Sequence, residues 1–373
     1  MQKYKATGYL TLFDEEERQQ RLSKIGNPLE KLSMVIDFEM FRDELEDAVL
    51  NKDKKSRAGA KPYDVVMMFK IMVIQRYYNL SDDQTEYQIE DRQSFRRFLG
   101  LSSGDKVPDA KTIWLFREKL VKSGASEVLF QKFVDYLNKK QLIFNEGRMV
   151  DASFVLAPHQ HNTPDENKQI KDEEGDGLWK DKPHKKCQKD TDARWTQKGG
   201  VNYFGYKNHI KGDTKSKLII SYETTPAAPH DSKSLADLLT ENDKGQELYA
   251  DSAYVGLEET LEKYGVKDQI CERGYRGHPL TEEQKENNRL KSKTRSRVEH
   301  LFGFMECVMN RLFVRTIGLA RAATITGMIN LVYKICAVMS RSCGWGCCKQ
   351  KKHEKYRCNS LIYIYINNLQ KKQ

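Results

Sequence analysis

Residues 149–156 read MVDASFVL and residues 247–251 read ELYAD. Each run is short, apolar and β-leaning, and each carries one aspartate: Asp151 inside the first, Asp251 closing the second. A carboxylate in such a place is costly to bury unless it is paired, hydrogen-bonded or metal-bound. The carboxyl ends of strands are also where α/β sheets place ligands. Working outward, Tyr203–Ile210, Leu218–Thr225 and Asp268–Cys271 read as further strands. Ser232–Leu239 reads as a helix capped by Asp231 or Ser232. Strands interleaved with helices predict an α/β domain with a mixed sheet. Between the first two strands, His159–Gly200 is polar and poor in apolar residues, and reads as an extended loop or insertion.

Before Arg148 the pattern is helical. An early amphipathic pattern from Leu29 to Val49 ends in the polar, basic stretch NKDKKSRAGAK, which reads as a linker. Pro62 stands as a first-turn proline before Val65–Tyr77, Ser81-Asp82-Asp83 as a cap, and Pro108-Asp109 as a further helix start. Ser126–Lys139 reads as another amphipathic helix, and Thr294–Phe313 and Ala320–Arg341 as long late ones. The expected organisation is therefore 1–60 as helical segment and linker, 61–141 as a helical domain, and 142–340 as the α/β domain with a polar insertion near 158–200. Residues 341–373 form a basic, cysteine-containing tail. Arg92, Arg96, Arg97, Lys111 and Arg117 on the short helices suit a helix-turn-helix docked on DNA, and equally a bundle with a wet basic face.

The net charge of +10 is concentrated: residues 341–373 carry +7 of it, leaving +3 for the rest. Charge alone does not decide function. Local clustering says more, because Arg289, Lys291, Lys293, Arg295 and Arg297 fall at every second position with no acid among them. Such a run, ending two residues before Glu299, suits a surface that tracks DNA phosphates, the plainer alternative being a solvated loop and helix start. The eight cysteines are not spaced as a secreted disulfide framework. Cys307 and Cys336 sit in apolar helical patterns and read as buried thiols. Cys343, Cys347, Cys348 and Cys358, with His353 nearby, lack the paired spacing of common zinc modules. No secretory signal is visible and the most apolar late stretch is interrupted by Lys334, so a soluble, intracellular protein with no membrane partner is expected.

Glu299 lies beside the stripe Val298, Leu301, Phe302, Met305, Met309 and Phe313, one turn after Arg295. Asp151, Asp251 and Glu299, from two strands and a helix, could chelate two Mg²⁺ or Mn²⁺ ions through oxygen ligands. The plainer alternative makes Asp151 and Asp251 strand-end caps and Glu299 a salt-bridge partner of Arg295.

VDASFV, YADSAYVG and RSRVEHLFG resemble the signature blocks of the DDE transposases of bacterial insertion sequences, most closely insertion-sequence family five. KPYDVVMMFKIMVIQRYYNLSDDQTEYQIEDRQSFRRFLGL and VPDAKTIWLFREKL resemble that family's helical N-terminal domain. The likeness runs from about residue 8 to 340, in the family's order. It implies an RNase H-like catalytic domain with a mixed sheet, preceded by an all-α DNA-binding domain. It also implies a metal-binding catalytic triad of Asp151, Asp251 and Glu299 served by Mg²⁺ or Mn²⁺, and a DNA-phosphate role for Arg295. The implied activity is cleavage at terminal inverted repeats and strand transfer into target DNA, by a homodimer in the synaptic complex, in the nucleoid-associated cytoplasm. Related branches place a tyrosine and a lysine where this chain has Ser292 and Glu306. The alternatives are a catalytically inactive or domesticated DNA-binding descendant, and a stand-alone nuclease, for which the helical module is superfluous.

Overall fold

In a computed structural model, residues 13–50, 61–172 and 175–342 are described. The linker at 51–60 and the cysteines from Cys343 onward lie outside them. The described residues divide into two compact units: residues up to Asp37 together with those from Ile335, and Phe38–Lys334.

In the first unit, α1 (Asp14–Ile25) carries four acids in its first turn and ends at Gly26, whose φ of 101° only glycine adopts cheaply. Asn27 then caps α2 (Pro28–Val35), its side chain accepting the Leu29 amide at 3.1 Å.

The larger unit opens with α3 (Arg42–Val49), followed by α4 (Val65–Tyr77). Asp64, not the neighbourhood of Pro62, supplies the α4 cap by accepting the Met67 amide at 2.9 Å. The helix is nearly all buried, as a run apolar on every face requires. Next come α5 (Asp82–Asp91), opened by a Ser81/Gln84 capping box, and α6 (Gln93–Leu99), closed by Gly100. α7 (Ala110–Ser123) is capped by Asp109, and α8 (Ala125–Lys139) follows Gly124. Phe38, Phe41, Phe69, Phe98 and Phe133 knit these helices together, with ring centroids 5.0 Å apart for Phe41–Phe69 and 5.6 Å for Phe38–Phe98.

The strands are β1 (Arg148–Leu156), β2 (Arg194–Lys198), β3 (Val201–Asp213), β4 (Ile219–Pro226), β5 (Glu247–Tyr249) and β6 (Lys267–Asp268). They form one sheet in the order β2-β3-β1-β5-β6, with β4 also on β3. β3 is antiparallel to β1, β2 and β4, whereas β5 pairs parallel with β1 and β6 parallel with β5. The mixed sheet expected from the sequence is thus present. β2 was not anticipated; its hairpin turns on Gly199 and Gly200, both at positive φ. The polar insertion holds α9 (Pro164–Lys171), α10 (Pro183–Lys186) and two acids that grip the chain's last long helix. Asp190 accepts the Gly318 amide at 3.2 Å and Asp192 the Leu319 amide at 2.7 Å.

On one sheet face, Val150 and Leu248 pack with Leu235 and Leu238 of α11 (Leu235–Leu238) and Leu261 of α12 (Glu258–Tyr264). The helix foreseen over 232–239 starts as a 3-10 turn, with His230 in the capping place given to Asp231 or Ser232. The other face carries an Asn208–Asn330 amide pair at 2.8 and 3.0 Å and the Phe130–Tyr222 contact.

Two helices precede the last: α13 (Glu282–Arg295) and α14 (Glu299–Cys307), separated by a 3-10 turn over Ser296–Val298. The single helix expected over Thr294–Phe313 is therefore broken and shorter. Asn310 and Arg311 take positive φ, and Leu312–Val314 bonds back to Leu156 in extended form. Cys307, at the end of α14, is exposed rather than buried; Cys336 is buried as expected. The final helix, α15 (Leu319–Ser342), is long and apolar enough to cross a membrane, yet 83% of its most apolar window is buried in the protein, as in a core helix.

Candidate active site

The register of β1 and β5 pairs Arg148 with Leu248 and Met149 with Tyr249. Two residues further along stand Asp151, still within β1, and Asp251, just past the end of β5. β1 continues past Asp151 against β3, whereas β5 ends at Tyr249 and turns away. Asp251 makes that turn, its Oδ1 accepting the Ala253 amide at 2.9 Å at the head of a 3-10 turn over Ser252–Tyr254.

Asp151 is the more confined of the two, with 18% of its side chain exposed. Burial pushes its carboxyl up to about 6, and the charge of Asp251 adds to the rise. The Ala152 amide, donating at 2.8 Å, and the Arg295 guanidinium pull the other way. Tyr254 reports the same convergence. Its hydroxyl is buried without a hydrogen-bond partner, and burial followed by the charges of Asp231, Asp151 and Asp251 pushes the phenol well up.

Glu299 opens α14. Val298, Leu301 and Met305 bury the helix's inner face, which leaves Glu299 turned outward with 67% of its side chain exposed. Arg295 spans the gap to it, with its nitrogens 3.6 Å from Asp151 Oδ2 and 3.8 Å from Glu299 Oε1. The structure thus brings Asp151 and Asp251 together and holds Glu299 beyond a guanidinium. Among the described residues, no group of three or more His, Cys, Asp or Glu side chains could hold a metal ion as it stands. The oxygen chemistry of the two aspartates fits a hard divalent cation, and the raised Asp151 carboxyl marks a place short of positive charge. Arg295 supplies part of that charge.

The basic run divides in two. On α13, Arg289 and Lys293 lie four residues apart, as do Lys291 and Arg295, so alternate positions in sequence do not make one stripe. Arg289 is exposed and pairs with Glu286 at 3.3 Å; Lys293 is exposed. Lys291 donates to the Ile270 carbonyl at 2.9 Å and Arg297 to that of Thr214 at 3.1 Å. Lys291, Lys293 and Arg297 line a cavity of about 640 Å³ with Tyr249, Gln269 and Leu290.

Two arginines expected to contact DNA are buried in ion pairs. Arg96 is buried, paired with Glu90 at 2.6 Å and donating to the carbonyls of Ser102, Ser103 and Asp105. Arg117 is buried and bidentate on Asp82, both contacts at 2.7 Å. Burial and these bonds hold both guanidinium forks away from the exposed surface, although each Nε is left without a partner. Arg97 and Lys111 are exposed, as their expected role needs.

Beside the site lies a buried ionic network missed in the sequence. Arg148 donates to Asp243 at 2.7 Å and approaches Asp213 at 3.5 Å, and Lys211 also holds Asp243. Lys207 ties Asp231 at 2.7 Å. Periodicity could not find these pairs, because partners lie on different strands and turns.

Residues 16–119 match the family described as Transposase domain (DUF772). Residues 144–335 match the family described as Transposase DDE domain, more than half of the 373 residues. The chain belongs to the Transposase DDE domain family, and is a transposase of that type. Among solved structures it is similar to a piggyBac transposase in a synaptic complex with hairpin DNA. That match has 13% identity over 84% of this chain and 74% of that one, with a TM-score of 0.41.

Proposed function

We propose that the protein is an insertion-sequence transposase, of insertion-sequence family five, that cuts DNA at its element's terminal inverted repeats and joins the ends to target DNA. The observation that carries this reading is the convergence of Asp151, on β1, with Asp251, two residues past the end of the parallel strand β5, close enough for its charge to raise the Asp151 carboxyl. The strand order, four antiparallel strands centred on β3 with two parallel ones added beside β1, supports an RNase H-like catalytic domain. Residues 61–141 are its DNA-binding domain.

Asp151, Asp251 and Glu299 are the residues that would hold Mg²⁺ or Mn²⁺. When bound, a pair of such ions supplies a sharpened nucleophile and neutralises the leaving oxygen. The protein's own part is positional. β1 fixes Asp151 through its pairing with β3, and the 3-10 turn fixes Asp251. Arg295 sits between Asp151 and Glu299, where it can neutralise a phosphate as well as the two acids. Lys207 keeps Asp231 engaged and out of the ligand set. Arg289, Lys291, Lys293 and Arg297 present charge to the DNA backbone beside them. Synapsis of two element ends calls for a homodimer, and the substrate places the protein in the nucleoid-associated cytoplasm, with no membrane partner.

The test is cleavage of a labelled duplex carrying the element's own end, with Mg²⁺ or Mn²⁺, by wild type and by Asp151→Ala, Asp251→Ala and Glu299→Ala. Metal-dependent cleavage lost in all three, with DNA binding retained, is the expected result. Cleavage surviving one alanine removes that residue from the triad. Binding without cleavage in the wild type favours an inactive or domesticated descendant.

A further inference from the structure

A cavity of about 570 Å³ opens among the end of α4, the start of α5, α7 and the segment leading into α15. Five basic side chains line it: Arg76, Arg117, Lys186, Arg315 and Arg321. Of the acids close by, Asp83 also lines the cavity and is exposed, and two more are committed to arginines. Asp82 takes Arg117 through two 2.7 Å contacts, and Glu118 takes Arg321 through another two.

Arg76 and Arg315 are left with neutral partners. Arg76 is 8% exposed and donates to the Gln75 side-chain oxygen at 2.7 Å, an oxygen that Arg117 also approaches at 3.3 Å. Arg315 is exposed and donates to the Asn79 side chain at 2.7 Å and its carbonyl at 3.1 Å. A buried guanidinium whose nearby carboxylate, Asp82, is already bidentate on Arg117, with two more guanidiniums beside it, is expensive unless an anion completes the cluster. The repulsion is legible in Arg76 itself: burial, then Arg117 and Arg315, lower it to about 9 against the charge of Asp82.

We propose that this cavity is a phosphate-binding site that takes a backbone phosphodiester of duplex DNA, with Arg76 at its floor and Arg315 at its mouth. The choice of DNA rests on the transposase reading above; the anion site rests on the arginines. Planar guanidinium forks suit phosphate oxygens, and a contact of this kind fixes register on the duplex without reading sequence. Trp114, 41% exposed, also lines the cavity and provides an intrinsic reporter.

Arg315→Gln and Arg76→Gln are compared with wild type in the full chain, using a duplex of arbitrary sequence titrated across salt concentrations. Each neutralised phosphate contributes about 0.9 to the slope of log K against log salt. Each variant is therefore expected to flatten the slope by about 1, and to weaken binding equally for unrelated sequences. Arg315→Gln is the exposed arm and keeps the test open should the buried Arg76→Gln fail to fold. Inorganic phosphate is the second probe: it should raise the melting temperature of wild type, and change Trp114 emission against a Trp114→Phe control, but do neither in Arg315→Gln. Slopes unchanged in folded variants overturn the proposal while leaving DNA binding intact. Phosphate protection without any change of slope overturns the DNA assignment in favour of a free phosphate site. Wild type that binds no duplex at all overturns the transposase reading itself.

Discussion

Replacing Gly327 of α15 by alanine puts a methyl carbon 2.2 Å from the Tyr222 hydroxyl oxygen and 2.9 Å from Cζ of the same ring. Tyr222 is buried, with its ring centroid 4.7 Å from that of Phe130, so it has little room to retreat. Overpacking of this kind costs about 1–3 kcal/mol, and the severity of the oxygen contact argues for the upper end. Alanine returns about 1 kcal/mol of helix propensity. The net expectation is a loss of about 2 kcal/mol, or roughly 3 °C in melting temperature for a unit of this size. Gly303 of α14 is the internal control, because a methyl group there meets nothing within 4 Å. Gly303→Ala should therefore gain about 1 kcal/mol from propensity alone. Tyr222→Phe removes the hydroxyl contact but keeps the ring carbon, so in that background the Gly327→Ala penalty should shrink without vanishing. Urea and thermal unfolding followed by circular dichroism measure all four variants. The reasoning fails if both alanines shift stability in the same direction, or if the penalty is unchanged in the phenylalanine background.

Asp243→Ala leaves Arg148 and Lys211 as buried charges short of their shared acid, and is expected to cost about 3–5 kcal/mol; a loss below about 1 kcal/mol in urea unfolding would show that the network relaxes freely. His209 is buried in β3, its Nε2 2.9 Å from Thr225 Oγ1, and burial lowers it to about 4 against the opposing charge of Asp231, with Lys207 reinforcing the drop. A depressed histidine contributes stability that is present above its unfolded value and is lost as pH falls toward 4. Between pH 7.5 and pH 5, wild type should therefore lose about 2 kcal/mol more than His209→Gln, and equal losses would assign the acid sensitivity elsewhere.

β1 and β5 were legible because a lone carboxylate in an apolar run is an energetic anomaly, and such anomalies survive in a sequence. β2 was not: RWTQK is a polar ribbon with Trp195 half outside, and only the Gly199-Gly200 pair signalled its turn. α9 hid inside a stretch that reads as loop, although Thr163, Pro164 and Glu166 spell a capping box with proline at its first position. Arg96 and Arg117 show the limit of counting charge, since a guanidinium buried on carbonyls and one facing water look the same in one dimension. The partition of Asp151, Asp251 and Glu299 was out of reach as well. The sequence names all three acids, but the 3-10 turn at Ser296–Val298 and the burial of Val298 and Leu301 decide which way Glu299 points.

β3 and β4 can zip together as neighbours along the chain and β1 reaches β3 across the polar insertion, whereas β5 must come back across about a hundred residues to lie beside β1. Closing so long an excursion is paid in chain entropy before any contact rewards it. The meeting of Asp151 with Asp251 is accordingly a late event in folding. Weakening β5 should hasten unfolding while leaving the folding rate nearly untouched, and weakening the β1–β3 pair should do the reverse. A molecule that has built the antiparallel part of its sheet still lacks the meeting of Asp151 and Asp251, which waits on β5.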